Sequence, residues 1–167
     1  MRILFILFLV MVAMIQATTF PQIKAKSLKN EWVELPKKDQ LQLYILGFEQ
    51  ESGEHMASWV RGLKLRPTAN MTWYQIPVIG GVPPFVDGFI MSGMRKSIKE
   101  KMHNTVLPYF GNRFQVMEAI ANTTELNDKI KPFIIILDDN AEITFNIQAY
   151  ATTDNIKIVQ QKIKNIK

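Results

Sequence analysis

The chain has 167 residues, of which 47% are hydrophobic and 21% charged, so it has apolar material for one globular core and too little length for two. Its formal net charge of +5 is spread along the chain, which permits contact with an anionic surface and does not argue for nucleic acid. There is no cysteine. Mechanisms that need a thiolate nucleophile, a resolving cysteine or a cysteine-held metal are therefore excluded.

Residues 1–17 are predicted to be a secretion signal. Arg2 gives a basic start, an unbroken apolar run covers residues 3–15, and Ala17 is a small residue at a plausible cleavage point. The run is shorter than the roughly 20 residues of a comfortable membrane-spanning helix. We expect an exported protein, periplasmic or secreted, with residues 18–167 as a single domain; the alternative is an uncleaved membrane anchor through residues 3–15.

The next segments predict a strand–helix–strand unit. After a first extended region at residues 28–35, residues 41–48 have few polar interruptions, which is typical of a central strand covered on both faces. Residues 72–79 form a second apolar strand, so the unit should be a right-handed parallel βαβ pair. The helix between them is predicted to have Ser52 as its N-cap and apolar residues at helical spacing, namely Met56, Trp59, Val60 and Leu63.

Residues 82–121 are predicted to be mostly helical, with a helix from about Phe89 to His103 and a shorter one over residues 114–121. One side of the first helix is apolar, with Ile90, Met91, Met94, Ile98 and Met102. The other side carries the candidate binding surface, which is Arg95, Lys96 and Lys99. Methionines adapt to varied apolar partners, and lysines beside them could approach anionic lipid headgroups. Alternatively, the methionines belong to the core and the basic residues form a solvated face.

The last third predicts a β-hairpin followed by a helix. Residues 133–137 are a continuous β run, residues 138–140 make a turn, and residues 142–148 alternate, with Ile143, Phe145 and Ile147 expected on one face. The final helix begins near Thr153. Its apolar residues at helical spacing are Ile156, Val159, Ile163 and Ile166.

This order of elements, βαβ, helical connection and ββα, resembles the thioredoxin-like superfamily, an α/β fold with a central mixed sheet. In that superfamily a cis-proline precedes the penultimate strand and faces the active-site helix. Pro132, directly before residues 133–137, resembles that proline. A second interpretation is structural only, because a proline at the first residue of a strand loses no ladder donor.

The same resemblance places residues 52–55, Ser-Gly-Glu-His, where redox-active members carry Cys-x-x-C. Ser52, Glu54 and His55 are therefore the candidates for a non-thiol catalytic site, in which His55 would act as the base for Ser52 across one helical turn. The preferred interpretation makes Ser52 a helix cap and the other two exposed first-turn residues. GxSxG, HExxH and P-loop patterns are missing, and no metal or other cofactor is predicted.

A narrower resemblance covers most of the chain after the leader. Five segments are similar to the assembly-factor family of the mitochondrial ATP synthase membrane sector: residues 54–59, 76–77, 93–96, 109–111 and 133–150. The resemblance implies a cysteine-poor thioredoxin-like protein that assists a hydrophobic subunit. We therefore predict a non-redox binding or assembly module whose partner is a protein or a membrane surface. The alternative is an enzyme or degenerate peroxiredoxin-like protein with a site near Ser52 and His55.

Overall fold

The computed structural model describes residues 19–69, 71–122 and 126–166, and the predicted secretion signal lies outside these ranges. The elements in chain order are β1 (Ile23–Lys26), β2 (Trp32–Leu35), β3 (Gln42–Gly47), α1 (Ser52–Gly62), β4 (Thr72–Pro77), α2 (Pro84–Ser97), a 3₁₀ helix (Glu100–Thr105), α3 (Arg113–Ala121), β5 (Phe133–Leu137), β6 (Ile143–Gln148) and α4 (Thr153–Ile166). None of the helices formed by these residues combines the length and hydropathy that a bilayer-spanning helix requires.

The central sheet has the order β4-β3-β5-β6. β3 runs parallel to β4 and antiparallel to β5, and β5 pairs antiparallel with β6. Every residue of β3 and β5 is buried because both strands lie inside the sheet and are covered on both faces. The predicted mixed sheet, with its βαβ beginning and ββα end, is confirmed.

Alternate residues of β3 point into two separate cores, as the period of two of a strand requires. Leu43 and Ile45 pack with α1 and α4 on one face of the sheet. Tyr44 and Leu46 pack with α3 and the first two strands on the other face. The predicted apolar stripe of α4 lies in the first of these cores, which confirms its helical spacing.

The N-terminal part of the domain differs from its prediction. β1 and β2 form an antiparallel hairpin, pairing Ile23 with Leu35 and Lys26 with Trp32, whereas the sequence predicted only one extended region at residues 28–35. β1 has only four residues, and two of them are lysines. Such a segment has little apolar signal of its own and is held by its partner strand and by the core beneath it.

β6 contains a bulge that reverses one side chain. Leu137 pairs with Ile143 but Ile136 pairs with Phe145, so Thr144 is the extra residue and its hydroxyl donates to the carbonyl of Ile136 at 3.2 Å. As a result Ile143 packs on the α3 side of the sheet while Phe145 and Ile147 pack on the α1 side. The prediction that Ile143 shares their face is wrong.

The long middle helix is also shifted. α2 begins at Pro84 rather than near Phe89, because a proline in the first helical turn gives up an N–H that has no helical partner there. It ends at Ser97, since Ile98 is extended, and the chain continues as the 3₁₀ helix rather than as an α-helix to His103. α3 agrees with its prediction to within one residue.

Candidate functional site

Ser52 is the first residue of α1 and is fully buried. The residue at the N-cap is Glu51, whose side chain makes no capping bond, so the predicted cap is displaced by one residue. The Ser52 hydroxyl accepts a hydrogen bond from the Glu49 N–H at 3.3 Å and donates to the Lys129 carbonyl at 3.2 Å. It therefore joins the start of α1 to the loop before β5.

Glu54 and His55 point to other partners. Glu54 is exposed and forms an ion pair with Arg61 at 2.8 Å. His55 stacks against Tyr150, with 4.6 Å between the ring centroids. Neither side chain hydrogen-bonds Ser52 among the described residues. The structure thus does not bring together the three residues that the sequence nominated as a non-thiol catalytic site.

Pro132 is buried immediately before β5, and its carbonyl accepts a hydrogen bond from the Ala149 N–H at 3.1 Å. In the part of the chain that the structure describes, the cis peptide bond precedes Pro36 and not Pro132. Pro132 therefore differs from the superfamily's cis-proline, which it resembles in position, and the sequence could not show the geometry of this bond. Pro132 directly precedes β5, where its missing N–H costs no ladder bond.

An open groove of about 830 Å³ lies between α1 and α2, beyond the carboxyl ends of β3 and β4. Gln75 and Pro77 of β4 contribute its floor, and its walls include Met56 on α1 and Ile90 and Met94 on α2. The volume is typical of ligand sites, and crevices at the carboxyl ends of parallel strands are the usual binding places in open α/β sheets.

Small residues keep the groove open. Gly53 on α1 and Gly93 on α2 both line it, and a Cβ atom at either position would meet no atom within 4 Å. In α2 only Met91 is buried, so the helix rests on the domain through a narrow strip. Phe85 and Phe89 on the same helix are each 81% exposed, and Phe89 lines the groove. Exposed apolar side chains grouped beside a groove mark interaction surfaces.

The charged side chains that line the groove are Glu49, Glu54 and Arg113. An Arg113 nitrogen lies 3.5 Å from the Glu49 carboxylate and donates to the Phe48 carbonyl at 3.3 Å. The guanidinium also lies 5.8 Å from the centre of the Phe48 ring. Arg113 is thus held against the end of β3, whereas Glu49 lies in the loop before α1 and Glu54 in the first turn of α1.

The basic residues nominated as a binding surface lie outside this groove. Arg95 donates to the Leu28 carbonyl and to the Asn30 side chain, both at 2.7 Å, and so ties the β1–β2 turn to α2. Lys96 and Lys99 are exposed. The three residues therefore differ in role, since Arg95 stabilises the fold through these two hydrogen bonds and the two lysines do not. Within residues 19–69, 71–122 and 126–166, no group of three or more His, Asp or Glu side chains is placed to bind a metal.

This architecture defines a thioredoxin-like fold. No protein-family model matches the sequence, and no curated protein sequence is similar to it. Among solved structures, the chain is similar to the exposed lipoprotein thioredoxin Etrx1 of Streptococcus pneumoniae strain TIGR4, with 8% identity, coverage of 85% of this chain and 99% of that one, and a TM-score of 0.58.

Two further similarities support the same fold. A peroxiredoxin-like protein from Aquifex aeolicus has 13% identity and a TM-score of 0.57, covering 90% of this chain and 86% of the other. BsSco, a member of the Sco family of cytochrome c oxidase assembly proteins, has 11% identity and a TM-score of 0.57, with 87% and 92% covered. Most such neighbours are redox-related, whereas this chain has no cysteine.

Proposed function

We propose that the protein is an exported, non-redox thioredoxin-like module that binds an apolar segment of another protein in the groove between α1 and α2. The observation that carries the proposal is this groove, with its apolar walls and the two exposed phenylalanines Phe85 and Phe89 on α2. Met94, a half-buried side chain on its wall, suits a site that accepts apolar side chains of differing shape.

The Cys-x-x-C position supports binding over catalysis. An enzyme at this position needs an accessible nucleophile within reach of a base. Ser52 is fully buried and bonded to the backbone of Lys129, and His55 is stacked on Tyr150. A degenerate peroxiredoxin-like or other enzyme acting here would first have to expose the Ser52 hydroxyl, so this alternative has less support than the binding module.

Export and the nature of the partner are parts of the proposal that come from the sequence. Residues 1–17 have the composition of a secretion signal, which supports a location outside the cytoplasm. The resemblance to the assembly-factor family of the mitochondrial ATP synthase membrane sector suggests a hydrophobic protein as the partner. An apolar groove is the kind of site that such a partner requires.

The two phenylalanines would supply a substantial part of the affinity. Full burial of one such side chain is worth about 1.5–3 kcal/mol. Association itself costs at least roughly 4 kcal/mol, so both phenylalanines and the groove walls must contribute to a stable complex. Replacing Phe89 with alanine should therefore weaken binding by about tenfold to a hundredfold.

A matched pair of substitutions on α2 tests the proposal. Gly93→Leu places a side chain in the groove, whereas Gly88→Leu places the same side chain at an exposed, open position of the same helix that does not line it. Both changes raise helix propensity by roughly 1 kcal/mol, so both proteins should be at least as stable as the wild type.

The measurement is the fluorescence anisotropy of a labelled helical peptide of leucine, alanine and glutamine. We expect Gly93→Leu to weaken its binding at least about tenfold, since full burial of one apolar side chain is worth about 1.5–3 kcal/mol, and Gly88→Leu to bind as the wild type does. Equal affinity of the two variants for the peptide would show that the groove is not the binding site.

A further inference from the structure

We propose that the outer face of the β1–β2 hairpin docks on an anionic lipid bilayer, with Trp32 at the level of the headgroups and Lys24 and Lys26 beside it. The inference goes beyond the proposed function, because none of these residues lines the groove between α1 and α2. It concerns a second surface of the domain and a different kind of partner.

The β1–β2 hairpin has one buried face and one open face. Alternate residues of both strands pack into the core on the α3 side of the sheet, namely Ile23, Ala25, Val33 and Leu35. Because successive side chains of a strand point to opposite faces, the residues between them point outward. These outward residues form the hairpin face: Lys24, Lys26, Trp32 and Glu34.

Trp32 is the apolar centre of the hairpin face. Its side chain is 63% exposed, whereas Trp59 and Trp73 are buried. The Nζ atoms of Lys24 and Lys26 lie 5.7 and 5.6 Å from the centre of the Trp32 ring. An exposed indole favours the interface between a membrane and water, and lysines beside it keep their charge at the headgroups. The hairpin face thus combines the two chemical groups that an interfacial contact uses.

The charge around Trp32 suits an anionic surface. Residues 24–38 include five lysines and two glutamates, which is a net charge of +3 in a chain whose net charge is +5. Lys24 lies 2.9 Å from Glu34, but both side chains are exposed, so this pair is weak. Lys26 forms no ion pair among the described residues. A lysine near an anionic membrane surface strengthens binding about fivefold.

The hairpin also follows closely on the predicted leader. β1 begins at Ile23, eight residues after the end of the apolar run at residues 3–15. Eight residues span at most about 26–29 Å, so an uncleaved leader would hold the hairpin within reach of a bilayer. In a cleaved protein, the indole and the lysines together supply the two signals that peripheral membrane binding requires.

Trp32 itself reports contact with a bilayer, because the other two tryptophans are buried. The purified protein is mixed with vesicles of equal parts phosphatidylcholine and phosphatidylglycerol. We expect the tryptophan emission to move to shorter wavelength and Trp32 to become less accessible to acrylamide. Vesicles of phosphatidylcholine alone should produce a smaller change, and high salt should reduce the change with the anionic vesicles.

Two matched double variants test the role of the lysines. Lys24→Gln/Lys26→Gln should need at least about tenfold more anionic lipid for half of the emission change. Lys96→Gln/Lys99→Gln removes the same charge from exposed positions after the middle of α2 and should change the lipid requirement by less than about threefold. Residues 1–17 are the same in all these proteins, so any contribution from the leader cancels in the comparison.

Several results would overturn the proposal. One is an emission change that persists in Trp32→Phe, because the reporter would then lie elsewhere. Another is a change of equal size with phosphatidylcholine alone, or no change with either vesicle. Equal lipid requirements of the two lysine variants would show that the hairpin lysines are not the attracting charge. A glutamate-rich peptide that protects Trp32 from acrylamide where anionic vesicles do not would assign the hairpin face to an acidic protein.

Discussion

Replacing Ser52 with alanine distinguishes a structural hydroxyl from a catalytic one. The change removes two hydrogen bonds, one accepted from the Glu49 N–H at 3.3 Å and one donated to the Lys129 carbonyl at 3.2 Å. Each intramolecular bond contributes about 0.5–1.5 kcal/mol net, and both are long, so the loss should be about 1–2 kcal/mol. For a chain of this length that lowers Tm by about 3–6 °C.

Thermal unfolding followed by circular dichroism measures this loss, and Ser58→Ala is its control. Ser58 lies on the same helix, and its hydroxyl donates to the Glu54 carbonyl in an exposed position. Its removal should change stability by less than about 0.5 kcal/mol. Binding of the apolar peptide should be unchanged in both variants. Equal Tm values for Ser52→Ala and Ser58→Ala would refute the structural role of Ser52.

Three further substitutions have outcomes that follow from the contacts. Trp59→Phe removes a buried 2.8 Å hydrogen bond to a backbone carbonyl and leaves a small cavity, so urea unfolding should show a loss of about 2–4 kcal/mol. Arg95→Gln should lose about 1–3 kcal/mol with its two 2.7 Å bonds, whereas Lys96→Gln, exposed on the same helix, should lose less than about 0.5 kcal/mol. The pKa of Asp128 is lowered, and the largest cause is the hydrogen bond from the backbone N–H of Lys131. The ionised carboxylate therefore stabilises the folded state. The Tm deficit of Asp128→Asn should be present at neutral pH and should close as pH falls below about 4.

Each of these expectations has a contrary result. Unchanged stability of Trp59→Phe would mean that the tryptophan hydrogen bond does not hold α1 to the end of β6. Equal effects of Arg95→Gln and Lys96→Gln would restore Arg95 to an open basic surface. A Tm deficit of Asp128→Asn that grows in acid would reverse the sign of the expected pKa change.

The elements that the sequence predicted well are those whose signal is local. Residues 43–46 of β3 and all of β5 are runs of consecutive apolar residues, and α4 repeats its apolar residues at helical spacing. β1 was missed because its four residues owe their strand conformation to pairing with β2. The face of Ile143 was also missed. The bulge at Thr144 depends on how β6 pairs with β5, and it does not alter the alternation of apolar and polar residues in the sequence.

The candidate site likewise has features that the sequence predicted and features that depend on distant contacts. The order of elements located residues 52–55 at the start of α1, but it could not show that Ser52 is closed off by Lys129, which is 77 residues away. Helical spacing likewise put Ile90 and Met94 on one side of α2 without showing that this side faces an open groove. The available signal was Gly93 beside Met94, because a glycine in a helix interior costs stability and suggests a position kept small for a purpose.

The most direct test of the account uses the methionine methyl groups as reporters. Met94 lines the groove and is half-buried, whereas Met117 is buried in the core on the opposite face of the sheet. In methyl NMR of the methionine-labelled protein, the helical peptide of leucine, alanine and glutamine should shift the Met94 signal and leave Met117 in place. Saturable peptide binding that leaves Met94 unchanged, and instead shifts the ring signals of His55, would contradict the assignment of function to the groove.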